Sequence, residues 1–194
     1  MIDGVIFDLD GTLWDTTDEL VRCWQQYLPD LTIWKLKSIM GFDDETIANE
    51  LSISLETVNL IQESEIKWLS DHVVQPYVGV VGVLQYLQSR NIPCFIVSNC
   101  QSRYIECFLY TNNLETYFKD WSCYGDTHMH KSYNAQKLMQ KYNLNDVIFV
   151  GDTMNDKNAA KLIGAKFIWA TYGFGHVEYY DGWIHDPLGL MRYI

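Results

Sequence analysis

The segment Val5-Ile6-Phe7-Asp8-Leu9-Asp10-Gly11-Thr12 decides how this chain folds. A short apolar run stops abruptly at two acids and a glycine. Such a run suits a strand buried on both faces of a parallel sheet, where no alternation with polar residues is needed. The pattern recurs downstream. Ile92 to Val97 runs into Ser98-Asn99, Val147 to Val150 runs into Gly151-Asp152, and Ala165 to Ala170 makes a fourth run. Lys119 to Tyr124 reads as a further strand. Helical spacing lies between these runs, with Val80, Val81, Leu84 and Leu87 in one segment and Leu138, Met139 and Tyr142 in another. Asn158 to Ile163 reads as a short helix closed by Gly164, a residue suited to the C-cap. Alternating strands and helices predict an α/β fold with a three-layer, Rossmann-like parallel sheet core.

The stretch between the first strand and Pro76 does not alternate. It reads as helices only, over Glu19 to Leu28, Trp34 to Met40, Thr46 to Leu51 and Leu55 to Leu69. Asp43 or Asp44 caps the third and Ser54 the fourth. The predicted division is a core of residues 1–14 and 76–194 with an inserted all-helical cap of residues 15–75.

Ligands of open parallel sheets bind at the carboxyl ends of the strands. Here those ends carry Asp8 and Asp10, then Ser98 and Asn99, then Asp152 with Asp156 close behind. Four carboxylates in one crevice raise each other's pKa unless a cation neutralises them. A hard divalent ion with oxygen ligands answers this, and magnesium needs few protein ligands because it keeps several waters. Asp8 and Asp10 share the crevice only if the chain turns after the strand, and Gly11 permits that turn. Two acids then divide the work: one attacks phosphorus, and the other protonates the leaving oxygen and later activates water. Ser98, Asn99 and the start of a helix near Ser102 form a cradle for phosphate oxygens. A lysine completes the charge balance: Lys131, at the start of the helix before the Val147 strand, ranks ahead of Lys137 and Lys141 further into that helix.

Bulk composition narrows the partners. The 194 residues carry 14 Lys+Arg against 25 Asp+Glu, a net charge of −11, so nucleic acid is a poor partner. A small phosphorylated metabolite remains suitable. Cys23, Cys94, Cys100, Cys107 and Cys123 are widely spaced with no C-x-x-C, which fits reduced thiols in a cytoplasmic setting. No basic leader and no apolar run of membrane length is present in the sequence, so no membrane partner is expected. The oligomeric state is unknown from the sequence.

Taken together, DLDGT at Asp8–Thr12, VSN at Val97–Asn99, Lys131 and GDTMND at Gly151–Asp156 resemble the four ordered signature motifs of the haloacid dehalogenase superfamily. The resemblance spans Met1 to about Gly175, and GTLWDT with the helical insertion is most similar to its phosphoglycolate phosphatase-like branch. It implies that Asp8 forms an aspartyl-phosphate, that Asp10 is the general acid and base, and that Gly11 and Thr12 support the loop. It further implies that Ser98 and Lys131 bind the phosphoryl group. Mg2+ would be held by Asp8, the Asp10 carbonyl and Asp152, with Asp156 in support. Ser132 stands where many relatives have proline. Asp10 argues against dehalogenation, because superfamily dehalogenases lack that second aspartate. A sugar-phosphate mutase would use the same residues. A phosphate-responsive binding module without turnover would too, although receiver domains carry their phosphorylated Asp on a later strand and have no cap. His128 and His130 read as a surface loop. Trp14, Trp24, Trp34 and Phe42 either pack the cap against the core, the preferred reading, or face substrate from the cap, and the Tyr172-to-Gly175 segment is either pocket mouth or packing.

Overall fold

The computed structural model describes residues 2–194. Its centre is a six-stranded, fully parallel sheet in the order β3-β2-β1-β4-β5-β6. The strands are β1 (Gly4–Phe7), β2 (Cys94–Ser98), β3 (Phe118–Cys123), β4 (Val147–Gly151), β5 (Lys166–Ala170) and β6 (Gly182–Ile184). In register, Val5 of β1 faces Cys94 on one side and Ile148 on the other. Strand order reverses direction between β1 and β4, and the crevice at such a reversal is where open sheets bind ligands.

Alternating side chains send the two faces of the sheet into two cores. Val5, Phe7, Ile96 and Val150 pack with one set of helix residues, and Ile6, Phe95, Val97 and Phe149 with another. The first face is covered by α5 (Val80–Ser89) and α6 (Tyr104–Asn112), which contribute Val83, Leu87, Ile105 and Phe108. The second is covered by α8 (Lys131–Tyr142) and α9 (Met154–Ile163), which contribute Ala135, Leu138, Ala159 and Ala160. Three layers result, as the alternating pattern predicts.

Between β1 and α5 lie only helices: α1 (Thr17–Trp24), α2 (Ile33–Ile39), α3 (Asp44–Leu51) and α4 (Leu55–Asp71). Helices α2, α3 and α4 each start on a side-chain cap. Thr32 accepts from the Lys35 N–H, Asp43 from Thr46 and Ser54 from Thr57, so Asp43 rather than Asp44 closes the start of α3. The chain leaves and returns through a pinned neck. Trp14 bridges to Pro76, the Tyr77 N–H donates to the Leu13 carbonyl at 3.0 Å, and the Trp14 indole donates to the Val74 carbonyl at 2.9 Å.

Two local expectations need correction. The first cap helix stops at Trp24 and continues as turns to Leu28, because the residue before Pro29 is pushed away from helical backbone. The helix after Ser98-Asn99 begins at Tyr104 rather than near Ser102, since Arg103 takes a left-handed conformation (φ 69°). The edge strand β6 is too short, at three residues, to show any period in the sequence. A four-residue helix, α7 (Tyr124–Thr127), also follows β3 directly. No helix among the described residues is long and apolar enough to cross a membrane.

Candidate active site

Four side chains meet where β1 and β4 end. Asp8 follows β1, Asp152 follows β4, Asp156 lies in the first turn of α9, and Lys131 opens α8. All four are buried. Ligand oxygens of Asp8, Asp152 and Asp156 lie within 4.8 Å of one another, close enough to share one ion. The Lys131 ammonium donates to Asp8 Oδ1 at 2.7 Å and to Asp156 Oδ1 at 2.6 Å. Asp156 also accepts from the Thr153 N–H and hydroxyl through Oδ2, in a reciprocal capping box with Thr153. Its carboxylate is therefore fixed from two sides and holds Lys131 in place.

Asp152 sits in a socket of backbone. The Phe174 N–H donates to its Oδ2 at 2.7 Å, and the Gly175 N–H donates at 3.3 Å. A Cβ on Gly173 would come within 2.3 Å of the Asp152 Cβ, and one on Gly11 within 2.4 Å of Asp152 Oδ2. Only glycine lets both loops close on the acid, and Gly11 also needs its positive φ of 80°. The Thr12 hydroxyl approaches Asp152 Oδ1 at 3.5 Å, and the Tyr172 hydroxyl ties the Thr12 carbonyl at 2.8 Å. The Tyr172-to-Gly175 segment thus does more than pack: its amides hold an acid, and Phe174 lines the crevice.

Asp10 projects to the cap side of the cluster. Its Oδ1 accepts a hydrogen bond from the Tyr104 hydroxyl at 3.0 Å, and that hydroxyl also pairs with Thr16 at 2.9 Å. Ser98, buried at the end of β2, accepts from the Cys100 N–H at 3.2 Å. Asn99 reaches the same crevice, yet its amide donates to the Gly41 carbonyl of the cap at 2.9 Å. It forms a bridge between cap and core.

Electrostatics expose an imbalance. Four carboxylates face a single ammonium. Burial, and then the neighbouring Asp156, push Asp8 up to about 7 despite its ion pair. Burial, followed by Asp8, pushes Asp10 up to about 8. Burial opposes the charge on Lys131, but Asp156 and Asp8 outweigh it and raise its pKa. Burial and Asp156 likewise hold Asp152 well above the ordinary carboxylate range. Excess negative charge in a dry crevice, carried on clustered carboxylate oxygens, is what a hard divalent cation relieves. The donor set fits such an ion.

Above the cluster the cap closes a crevice of about 700 Å³, part of it open to solvent. Leu36, Ile39 and Ile47 form an apolar wall, and Trp24, Gln62 and Glu65 stand among them. Trp24 and Phe42 thus face the crevice, and Gln62, Glu65 and Tyr104 are site residues that the sequence reading does not name. For Glu65 a signal existed: Val58, Ile61, Gln62, Glu65 and Leu69 form the buried stripe of α4, and an acid on such a stripe is anomalous. Trp34, by contrast, is 80% exposed and faces away from any packing.

A family model described as haloacid dehalogenase-like hydrolase matches residues 5–170. A phosphoglycolate phosphatase from Pseudomonas aeruginosa is 28% identical over 192 residues, covering 89% of this chain and 70% of that protein. One from Photobacterium profundum is 27% identical over 197 residues, covering 90% and 86%. Among solved structures, a haloacid dehalogenase-like family hydrolase from Streptococcus pneumoniae superposes with a TM-score of 0.84 at 20% identity, covering 99% and 98% of the two chains.

Proposed function

The chain belongs to the haloacid dehalogenase-like hydrolase family, and from that premise we propose that it is a Mg2+-dependent phosphatase of small phosphate monoesters, phosphoglycolate phosphatase-like in its machinery, with Asp8 as nucleophile. It is a phosphoric monoester hydrolase, as its phosphatase relatives are. The observation that carries the reading is the convergence of Asp8, Asp152 and Asp156 within 4.8 Å beside the Lys131 ammonium.

In this reading an Asp8 oxygen attacks phosphorus and the bond from phosphorus to the alcohol oxygen breaks. Asp10, whose burial favours its protonated form, gives its proton to the departing oxygen. It then takes a proton from water, whose oxygen attacks the aspartyl-phosphate. Phosphate leaves and Asp8 is regenerated. Tyr104 keeps Asp10 turned into the crevice. Asp8, the Asp10 carbonyl and Asp152 would hold Mg2+, with Asp156 in support. The ion supplies positive charge that lets an anionic phosphoryl group approach an anionic nucleophile. Ser98 and Lys131 receive phosphoryl oxygens, with Asn99 at the rim and Gly11 and Thr12 supporting the loop. Residues 1–14 and 76–194 act as the hydrolase core and 15–75 as the cap. Five free cysteines support a reducing, cytoplasmic setting.

The test is turnover. Purified protein with Mg2+ releases phosphate from p-nitrophenyl phosphate, loses that activity in chelator and regains it when Mg2+ is restored. Folded protein that releases no phosphate from any of a broad monoester panel contradicts the reading.

A further inference from the structure

The cap presents one acid that the hydrolytic steps do not use. Glu65 lies on α4, is 5% exposed, and lines the same crevice as Asp8 and Asp10. Its Oε1 accepts from the Trp24 indole N–H, and its Oε2 accepts from the Gln101 amide at 2.5 Å. Both donors are neutral. Among the described residues no lysine, arginine or histidine pairs with it. Burial pushes it up to about 7 even with both donors in place. A carboxylate held without a counter-ion is costly to keep, and an apolar residue would pack the stripe of α4 better.

What Glu65 faces explains why an acid stands there. Lys131 is the one cation among the described residues lining the crevice, and Asp8 and Asp156 already engage it. Of the nearby cap lysines, Lys35 pairs with Glu50, whereas the Lys37 ammonium sits at the crevice edge over the ring of Phe174, 5.4 Å from its centroid, and is not part of the lining. The outer groove at the mouth adds two more acids, Asp43 and Glu45. Beyond the phosphoryl position, then, the crevice offers an apolar wall ending in a carboxylate with lone pairs to spare.

Resting on the phosphatase reading above, we propose that Glu65 selects the alcohol portion of the substrate: a neutral or ammonium-bearing alcohol with O–H or N–H donors, and none carrying a carboxylate or second phosphate. An anionic tail would meet Glu65 at low dielectric, and the lining holds no cation besides the already paired Lys131 to offset the repulsion. A donor-bearing tail would fill the unused lone pairs, while Leu36, Ile39 and Ile47 cover its carbon skeleton. The acid portion of phosphoglycolate, the compound for which the named relatives are called, is the kind of group this crevice rejects.

The experiment compares kcat/KM for phosphoglycolate, glycerol phosphate and phosphoethanolamine at about pH 8, where Glu65 is ionised, in wild type, Glu65→Gln and Glu65→Asp. The expected wild-type preference for the two donor-bearing alcohols over phosphoglycolate is about tenfold or more. Glu65→Gln keeps an acceptor for Trp24 but removes the charge, and should narrow that ratio about fivefold, mainly by lowering KM for phosphoglycolate. Glu65→Asp keeps the charge and should keep the preference. A wild-type preference for phosphoglycolate, or a ratio that Glu65→Gln leaves unmoved, overturns the proposal while the phosphatase reading stands. Calorimetric binding of the same three compounds to Asp8→Asn separates the two readings. If no monoester is turned over, the phosphatase reading fails, and discrimination in binding still decides the role of Glu65.

Discussion

Two acidic centres face each other across one crevice, and they are built on opposite principles. At the strand ends, Asp8, Asp152 and Asp156 crowd around Lys131, and loops that only glycine permits hold them in place. In the cap, Glu65 stands alone among apolar side chains, held by a tryptophan and a glutamine. The first centre has a cation and enough negative charge to require another. The second has none among its partners. Chemistry on a phosphoryl group needs the first arrangement, because charge must be gathered where charge is transferred. Recognition of a donor-bearing alcohol needs only the second. In the proposed reading, reaction and selection are carried by different layers of the molecule, joined at the Trp14–Pro76 neck and the Asn99–Gly41 contact.

The largest effect should come from breaking the first centre. Asp8→Asn removes the proposed nucleophile and leaves an isosteric amide, so turnover should fall by at least about 10³-fold with the fold intact by circular dichroism. Retained activity would mean that another residue attacks phosphorus.

The cap centre sharpens the contrast through stability. The pKa of Glu65 is raised from 4.5 to about 7 in the folded protein, so folding favours its protonated form. The sign follows: below about pH 4.5 the burial of Glu65 carries no ionisation penalty, and the penalty grows as pH rises towards 7 and stays constant above it. Glu65→Gln should therefore be more stable than wild type at pH 8 by up to about 3 kcal/mol, with the difference vanishing near pH 4. Denaturant melts at the two pH values check this. Equal stabilities at both would show that the acid is not held against its own ionisation.

A smaller effect is expected beside the strand-end centre, at Asp10. Tyr104→Phe removes the hydroxyl that donates to Asp10 and pairs with Thr16. It should lower kcat about three- to tenfold with little change in KM, since a positioning bond rather than a substrate contact is lost. Steady-state kinetics on p-nitrophenyl phosphate read it out, and a change confined to KM would place Tyr104 in substrate binding instead.

How far the sequence reveals these centres differs for a physical reason. The strand ends are legible because a buried parallel strand forces an uninterrupted apolar run, and the acids mark where it stops. Lys131 is legible by its place at a helix start. β6 is not, because three residues with an exposed Trp183 carry no period. Nor are the Phe174 and Gly175 amides on Asp152, since backbone donors leave no trace in residue type. Glu65 lies between these cases. In sequence it resembles its exposed neighbour Glu63, and only its place on the stripe of Val58, Ile61 and Leu69 sets it apart. Tyr104 becomes meaningful only once α6 is packed against the cap and Asp10 is within reach of its hydroxyl.

Calorimetric titration with Mg2+ tests the division between the two centres most directly. Wild type and Glu65→Gln should each bind one ion with similar affinity, and Asp152→Asn should bind none in the same range. Binding that survives Asp152→Asn, or that Glu65→Gln abolishes, would contradict the assignment of the cation to the strand ends.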